Sequence, residues 1–322
     1  MESRDPPDPS RKRAIVALLL AGTMLSACAQ TRREGVIDRL RQRRESDDPV
    51  FDVEEGAGGR RGGGVTLPPG ARQETDVAYG PADRHKLDVY IPAGARAAPI
   101  VLFVHGGAWI LGDKAIGRGV GNKVARWLPR GYIVVSTNYR KPEPPDPAQQ
   151  ADDVARALAF VQERAPQWGG AGDKVLLMGH SAGAHLASLV SADTTLQQRW
   201  RVRPWAGTVS LDSAAMDIVA LMEGQHPRLY DRIFGADRSY WQRVSPYHRL
   251  DARVRPMLLV CSQRRADSCA QAQAFASRAQ GLGGRVELLP LQMGHGAINS
   301  DLGLPGPYTD RVEAFMRSVG LP

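Results

Sequence analysis

The chain is expected to fold as an α/β protein with a mostly parallel central sheet covered by helices on both faces. Three observations carry this. Continuous apolar runs recur at Pro99 to His105 (PIVLFVH), Tyr132 to Thr137 (YIVVST), Val175 to Met178 and Met257 to Cys261; such runs mark strands buried on both faces. Segments with helical spacing stand between them, above all Ala148 to Ala165, with apolar residues at Val154, Ala157, Leu158 and Val161. The first run ends at Gly106 and the third at Gly179, on the side of the sheet where ligands bind, at the carboxyl ends of the strands.

Taken in order, Thr75 to Tyr79 and Lys86 to Ile91 read as two short strands around Gly80 and Pro81, a hairpin-like start. PIVLFVH follows and ends in Gly106 and Gly107. A helix at Val120 to Leu128 leads to YIVVST, and the helix Ala148 to Ala165 leads to KVLLMGHSAGAHLASL, Lys174 to Leu189. Ala206 to Leu211 (AGTVSL) is a further strand, ending in Asp212. After Met257 to Cys261 come a helix at Gln271 to Gln280, a strand at Val286 to Leu291 and a closing helix at Asp310 to Val319. The stretch from Asp212 to Arg253 carries large side chains, including Met216, Tyr230, Phe234 and Trp241, and reads either as a small lid or as a helical cap on the sheet edge.

Of 322 residues, 43% are hydrophobic, enough for one large core. The net charge is +8, but Arg is spread along the chain and no basic run adjoins stacking aromatics, so nucleic acid is not expected as a partner. No His, Cys or acidic group has ligand spacing, and neither a metal nor another cofactor is expected.

The N-terminal part reads as separate. Arg11, Lys12 and Arg13 precede an apolar run from Ala14 to Leu25. A run of about a dozen residues is short of the ~20 that span a bilayer, as in a signal-peptide core. The following LSAC resembles the lipobox of bacterial lipoprotein signal peptides, which implies acylation at Cys28, a membrane-surface anchor and a place in the bacterial cell envelope, facing periplasm or exterior. Residues 1–28 are thus read as signal peptide. Residues 29–73, charged and then Gly-rich, read as a disordered linker, and residues 74–322 as the globular domain. With Cys28 set apart, Cys261 and Cys269 remain: either a disulfide, as an oxidising compartment allows, or two thiols.

The chemistry is read from KVLLMGHSAGAHLASL. A strand, G-x-S-x-G and a helix in that order force Ser181 onto a sharp turn with its hydroxyl exposed at the sheet's end. In a chain with 34 glycines the pattern alone says little, so its partners matter. A serine nucleophile needs a base, an acid orienting that base, and NH donors for the oxyanion. Of seven histidines, His295 in LQMGHGAINS follows the serine and sits just past a strand end, making it the expected base. Asp267, the one carboxylate in the loop SQRRADSC after MLLVCS, is the expected acid. The glycines of HGGAW, His105 to Trp109, let the backbone approach a substrate oxygen. The expected donors are the NH groups of Gly107, Ala108 and Ala182. His105 is expected to brace this loop, and Trp109 and Asp212 to line the substrate pocket.

HGGAW, GHSAGAHLASL and a late GH with a preceding Asp resemble the α/β-hydrolase fold. The likeness is to its esterase branch with the HGG oxyanion motif, which includes hormone-sensitive-lipase-like carboxylesterases, feruloyl or acetyl-xylan esterase-like domains and kynurenine formamidase-like enzymes. It extends over about Glu74 to Pro322. It implies a serine hydrolase acting on a small-molecule ester, with an arylformamidase or amidase using the same groups, and a catalytically silent binding module, as alternatives; a structural lipoprotein is the remaining reading. Two departures stand out. The acid loop of this branch carries a Gly and an Asp soon after the strand, whereas CSQRRADSC is Arg-rich and bracketed by cysteines. The third oxyanion glycine is Ala108, followed by Trp109, which leans toward the formamidase or feruloyl side.

Overall fold

The computed structural model describes residues 65–115 and 117–322. The expected signal segment, Cys28 and the expected linker as far as residue 64 lie outside them. The folded part begins before the expected boundary at Glu74: Val65, Leu67 and Ala71 pack against the core, and the first strand starts at Arg72.

Eight strands form one sheet: β1 (Arg72–Ala78), β2 (Lys86–Ile91), β3 (Ala98–Val104), β4 (Ile133–Thr137), β5 (Gly170–His180), β6 (Gly207–Leu211), β7 (Met257–Ser262) and β8 (Val286–Leu291). Their order is β1-β2-β4-β3-β5-β6-β7-β8. β1 pairs antiparallel with β2, the hairpin the sequence suggests, and β2 pairs antiparallel with β4; every later pairing is parallel. The sheet is therefore mostly parallel, with helices on both faces, as the sequence predicts.

Alternation along the central strands builds two cores. In β3, Ile100, Leu102 and Val104 face one side and Val101 and Phe103 the other. On the first side they meet α2 (Pro147–Arg164) through Val154, Leu158 and Val161, and α3 (Ala182–Ala192) through Leu186 and Val190. On the second side they meet α1 (Gly117–Trp127) through Val120, Val124 and Trp127. Each such side chain taken fully out of water contributes about 1.5–3 kcal/mol. α2 starts at Pro147 because Asp146 caps it, accepting from the NH groups of Ala148 and Gln149.

The stretch after β6 is a run of short helices following α4 (Thr194–Arg199): α5 (Ile218–Glu223), α6 (Arg228–Phe234), α7 (Arg238–Arg243) and α8 (Pro246–Arg249). α9 (Ala266–Gly281) begins five residues before the expected start at Gln271, so Asp267 lies in its first turn, where an acidic residue favours the helix N-terminus. α10 (His295–Ser300) and α11 (Pro307–Ser318) close the chain. No helix among the described residues is long and apolar enough to cross a membrane.

Candidate active site

β5 runs straight into Ser181, which caps α3 with φ 54° and ψ −120°. An L-residue rarely adopts this conformation, and here the surroundings impose it. The Ser181 NH donates to the Leu211 carbonyl at 3.0 Å. A Cβ on Gly179 would lie 2.2 Å from the Gly183 carbonyl oxygen, and one on Gly183 would lie 2.3 Å from the Val104 carbonyl oxygen. Both glycines of G-x-S-x-G are thus required by close backbone approach, and the elbow expected from the sequence is present.

The loop after β3 passes next to it. A Cβ on Gly106 would lie 3.1 Å from the Ser181 Cβ, and the backbone then runs through positive φ at Gly107 (112°), Ala108 (48°) and Trp109 (63°). Ala108, Trp109 and Ala182 line a pocket with Ser181, whereas Gly107 faces a second depression next to His105 and Asp113. His105 braces the loop: one ring nitrogen lies 2.7 Å from the Gly106 carbonyl oxygen, the other 3.1 Å from Asn138 Oδ1, and the ring stacks on Tyr139. Burial pushes its pKa down to about 4, so it stays neutral.

Trp109 is almost fully buried. Its indole NH donates to His185 Nδ1 at 3.1 Å, and the other ring NH of His185 donates to the Val244 carbonyl at 2.7 Å. The indole also packs edgewise on Tyr230 and Phe234 of α6. Tyr230 lines the Ser181 pocket together with Ala214 and Ala215. The short helices therefore furnish one wall of the pocket, as a small lid would.

The acid is where the structure departs from the sequence reading. Asp267 Oδ1 lies 3.9 Å from Arg265 Nη2, and its side chain is half exposed at 51%. It is not the carboxylate on His295. That group is Asp212, at the carboxyl end of β6, whose Oδ2 lies 2.6 Å from His295 Nδ1. β6 and β7 are neighbours, with Leu211 paired to Val260, so the end of β6 lies beside the end of β7, where the acid was expected. Asp212 was expected merely as a pocket residue. It does line the pocket, yet it is fully buried and its side chain is committed to other groups.

Asp212 Oδ1 accepts from the Ser262 NH at 2.7 Å and from the Ser268 hydroxyl; Oδ2 accepts from Arg265 Nη1 at 2.9 Å as well as from His295. Burial alone would favour the neutral acid. The hydrogen bond and charge of His295, then the charge of Arg265 and the Ser268 hydroxyl, outweigh it and hold the carboxyl well below the usual carboxylate range. Cys261 and Cys269 form a disulfide with Cα atoms 5.1 Å apart. It closes the segment that supplies Ser262, Arg265 and Ser268 to Asp212. His295 is held from the other side by His180, whose ring NH donates to the His295 carbonyl at 3.1 Å and whose ring lies 4.5 Å from the imidazole.

Among the described residues no group of histidines, cysteines and carboxylates could hold a metal ion. What the arrangement provides is a hydroxyl on a strained turn, a histidine oriented by a buried carboxylate on the neighbouring strand end, and a positive-φ loop beside them.

A BD-FAE family model matches residues 87–264, more than half of the chain, from β2 past β7. The chain belongs to the BD-FAE family. Among the BD-FAE chain's relatives, isoprenylcysteine alpha-carbonyl methylesterase ICME of Arabidopsis thaliana is 28% identical over 251 residues, 72% of this chain and 57% of the relative. Esterase LipQ of Mycobacterium tuberculosis is 35% identical over 187 residues, 50% of this chain and 43% of the relative. The BD-FAE chain thus spans about half the length of these relatives. Among solved structures, Esterase B from Lactobacillus rhamnosis superposes with a TM-score of 0.64 at 22% identity, covering 96% of this chain and 95% of that one. This likeness establishes the fold.

Proposed function

We propose that the protein is a serine carboxylic-ester hydrolase that acts on small esters through an acyl-enzyme, with Ser181 as nucleophile, His295 as base and Asp212 as the acid that orients it. The observation that carries this reading is the 2.6 Å contact between Asp212 Oδ2 and His295 Nδ1 at the sheet end from which Ser181 projects. The esterases among its relatives support the same reaction class.

The steps follow from these roles. With Nδ1–H directed at Asp212, the other ring nitrogen of His295 is the one that accepts a proton. It takes the proton of Ser181 as Oγ attacks the ester carbonyl, and the buried carboxylate stabilises the imidazolium that forms. The carbonyl oxygen becomes an oxyanion, for which the NH groups of Ala108 and Ala182, lining the pocket with Ser181, are the donors; Gly107, expected from the sequence as a third, faces the second depression instead. His295 then protonates the leaving alkoxide, and a water deprotonated by the same ring nitrogen releases the acid. Tyr230, Trp109, Ala214 and Ala215 around Ser181 favour a compact acyl group.

The test is a panel of acetyl, butyryl, octanoyl and feruloyl esters plus formanilide, with a burst of chromophore equal to the enzyme concentration expected on a short-chain nitrophenyl ester. Formanilide hydrolysis far above ester hydrolysis would replace the reading with an arylformamidase. We also propose that Cys28 is acylated and anchors the chain at the cell envelope, on the strength of LSAC behind a basic and apolar leader. Intact mass of the mature chain decides this, an N-terminus without acyl groups excluding it.

A further inference from the structure

We propose that Arg265 is a positioning residue that holds the Asp212–His295 pair and sets the acid limb of the pH profile of catalysis.

The inference rests on the proposed hydrolase reading and extends it to a group that reading does not need. Arg265 sits between β7 and α9 with its side chain 9% exposed. Its Nη1 contacts three atoms of the pair: Asp212 Oδ2 at 2.9 Å, the Asp212 carbonyl oxygen at 3.2 Å and His295 Nδ1 at 3.0 Å. A guanidinium has donors only and stays charged. Asp212 Oδ2 therefore accepts two hydrogens at once, one from Nη1 and one from Nδ1. The donors lie side by side on a shared acceptor, which keeps Nδ1–H aimed at the carboxylate and leaves the far ring nitrogen for Ser181.

The second consequence is electrostatic. A buried cation is costly unless paired, and Arg265 is paired with the oxygen that the base also uses. At rest the carboxylate is matched by the guanidinium. A proton added to His295 then brings a second positive charge next to the first rather than neutralising a lone Asp212. Like charges at this distance oppose proton uptake, and burial leaves little screening.

The other titratable groups near the imidazole make different contacts. His180 meets the ring from the end of β5. From α1, Lys123 Nζ binds the Asn299 carbonyl and side chain. From α11, the Tyr308 hydroxyl donates to the Ile298 carbonyl. Asp267 lies beside Arg265 Nη2, on the far side from the histidine.

The test is the pH dependence of kcat/KM on a short-chain nitrophenyl ester for the wild type, Arg265→Gln, Arg265→Met and Arg265→Lys. Ser181 labelling by a fluorophosphonate is followed in the same samples. Both neutral variants are expected to move the acid limb up by about one pH unit, a tenfold change in kcat/KM at a pH well below the limb. Arg265→Lys keeps the charge, so its acid limb should stay near the wild type while kcat falls, because an ammonium on a flexible stem lacks the rigid planar group that sets Nη1 beside Asp212 Oδ2 and the Asp212 carbonyl. An acid limb that stays in place, or moves down, in whichever neutral variant folds overturns the inference. Failure of the wild type to label at Ser181 overturns the hydrolase reading instead, and the two outcomes are read separately.

Discussion

Asp212 Oδ2 lies 2.6 Å from His295 Nδ1, while Asp267, the carboxylate after the next strand, is half exposed and turned toward Arg265. If the first carboxylate orients the base, Asp212→Asn should lower kcat on a nitrophenyl ester by about 10³–10⁴-fold, because the amide favours the wrong tautomer of the histidine. Asp267→Asn should stay within about twofold, as exposed substitutions away from a site usually do. Steady-state kinetics on the two variants checks both, and a larger loss in Asp267→Asn would reverse the assignment.

The same carboxyl shapes stability against pH. Its folded pKa is held below the unfolded value of about 3.9 by His295, Arg265 and Ser268. The folded state therefore binds this proton more weakly than the unfolded chain. The stabilisation is complete above the unfolded pKa and is lost as pH falls toward the folded value. Melting temperatures measured from pH 6 down to about pH 2 should fall more steeply for the wild type than for Asp212→Asn. Parallel curves would show that Asp212 does not contribute in this way.

The disulfide closes a short loop, Cys261 and Cys269 being eight residues apart in sequence. Chain entropy alone gives about 2.5 kcal/mol for such a loop. Ser262, Arg265 and Ser268, which hold Asp212, lie inside it. Cys261→Ser/Cys269→Ser should therefore lose both stability and kcat. Denaturant unfolding and ester kinetics on this double variant measure the two effects, and unchanged kcat would mean that Asp212 is held without the staple.

Much of this was legible in the sequence, for identifiable reasons. PIVLFVH reads as a strand because both its faces are buried, and the observed split of Ile100, Leu102 and Val104 from Val101 and Phe103 is what a doubly covered strand requires. Ser181 is legible because Gly179 and Gly183 have no room for a side chain. His295 stands out because it follows a strand end. Asp212 was visible at the end of AGTVSL but not recognisable as the carboxylate that meets His295. Its role depends on β6 lying beside β7 and on Leu211 pairing with Val260, neither of which a one-dimensional pattern contains. Its φ of 56° likewise emerges only from the fold. Asp267 misled because Ala266 to Gly281 is a helix from its first residue, and an acid in that first turn serves the helix end. The Arg-rich departure in CSQRRADSC was the available signal, since Arg265 stands against the pair where a carboxylate was expected.

The central claim is that Ser181 is the nucleophile. Its most direct test is peptide mapping of the protein after reaction with a fluorophosphonate, with Ser181→Ala alongside. The account predicts one adduct per chain, on the peptide carrying Ser181, and neither adduct nor ester turnover in Ser181→Ala. An adduct on another residue, or full turnover in Ser181→Ala, would contradict it.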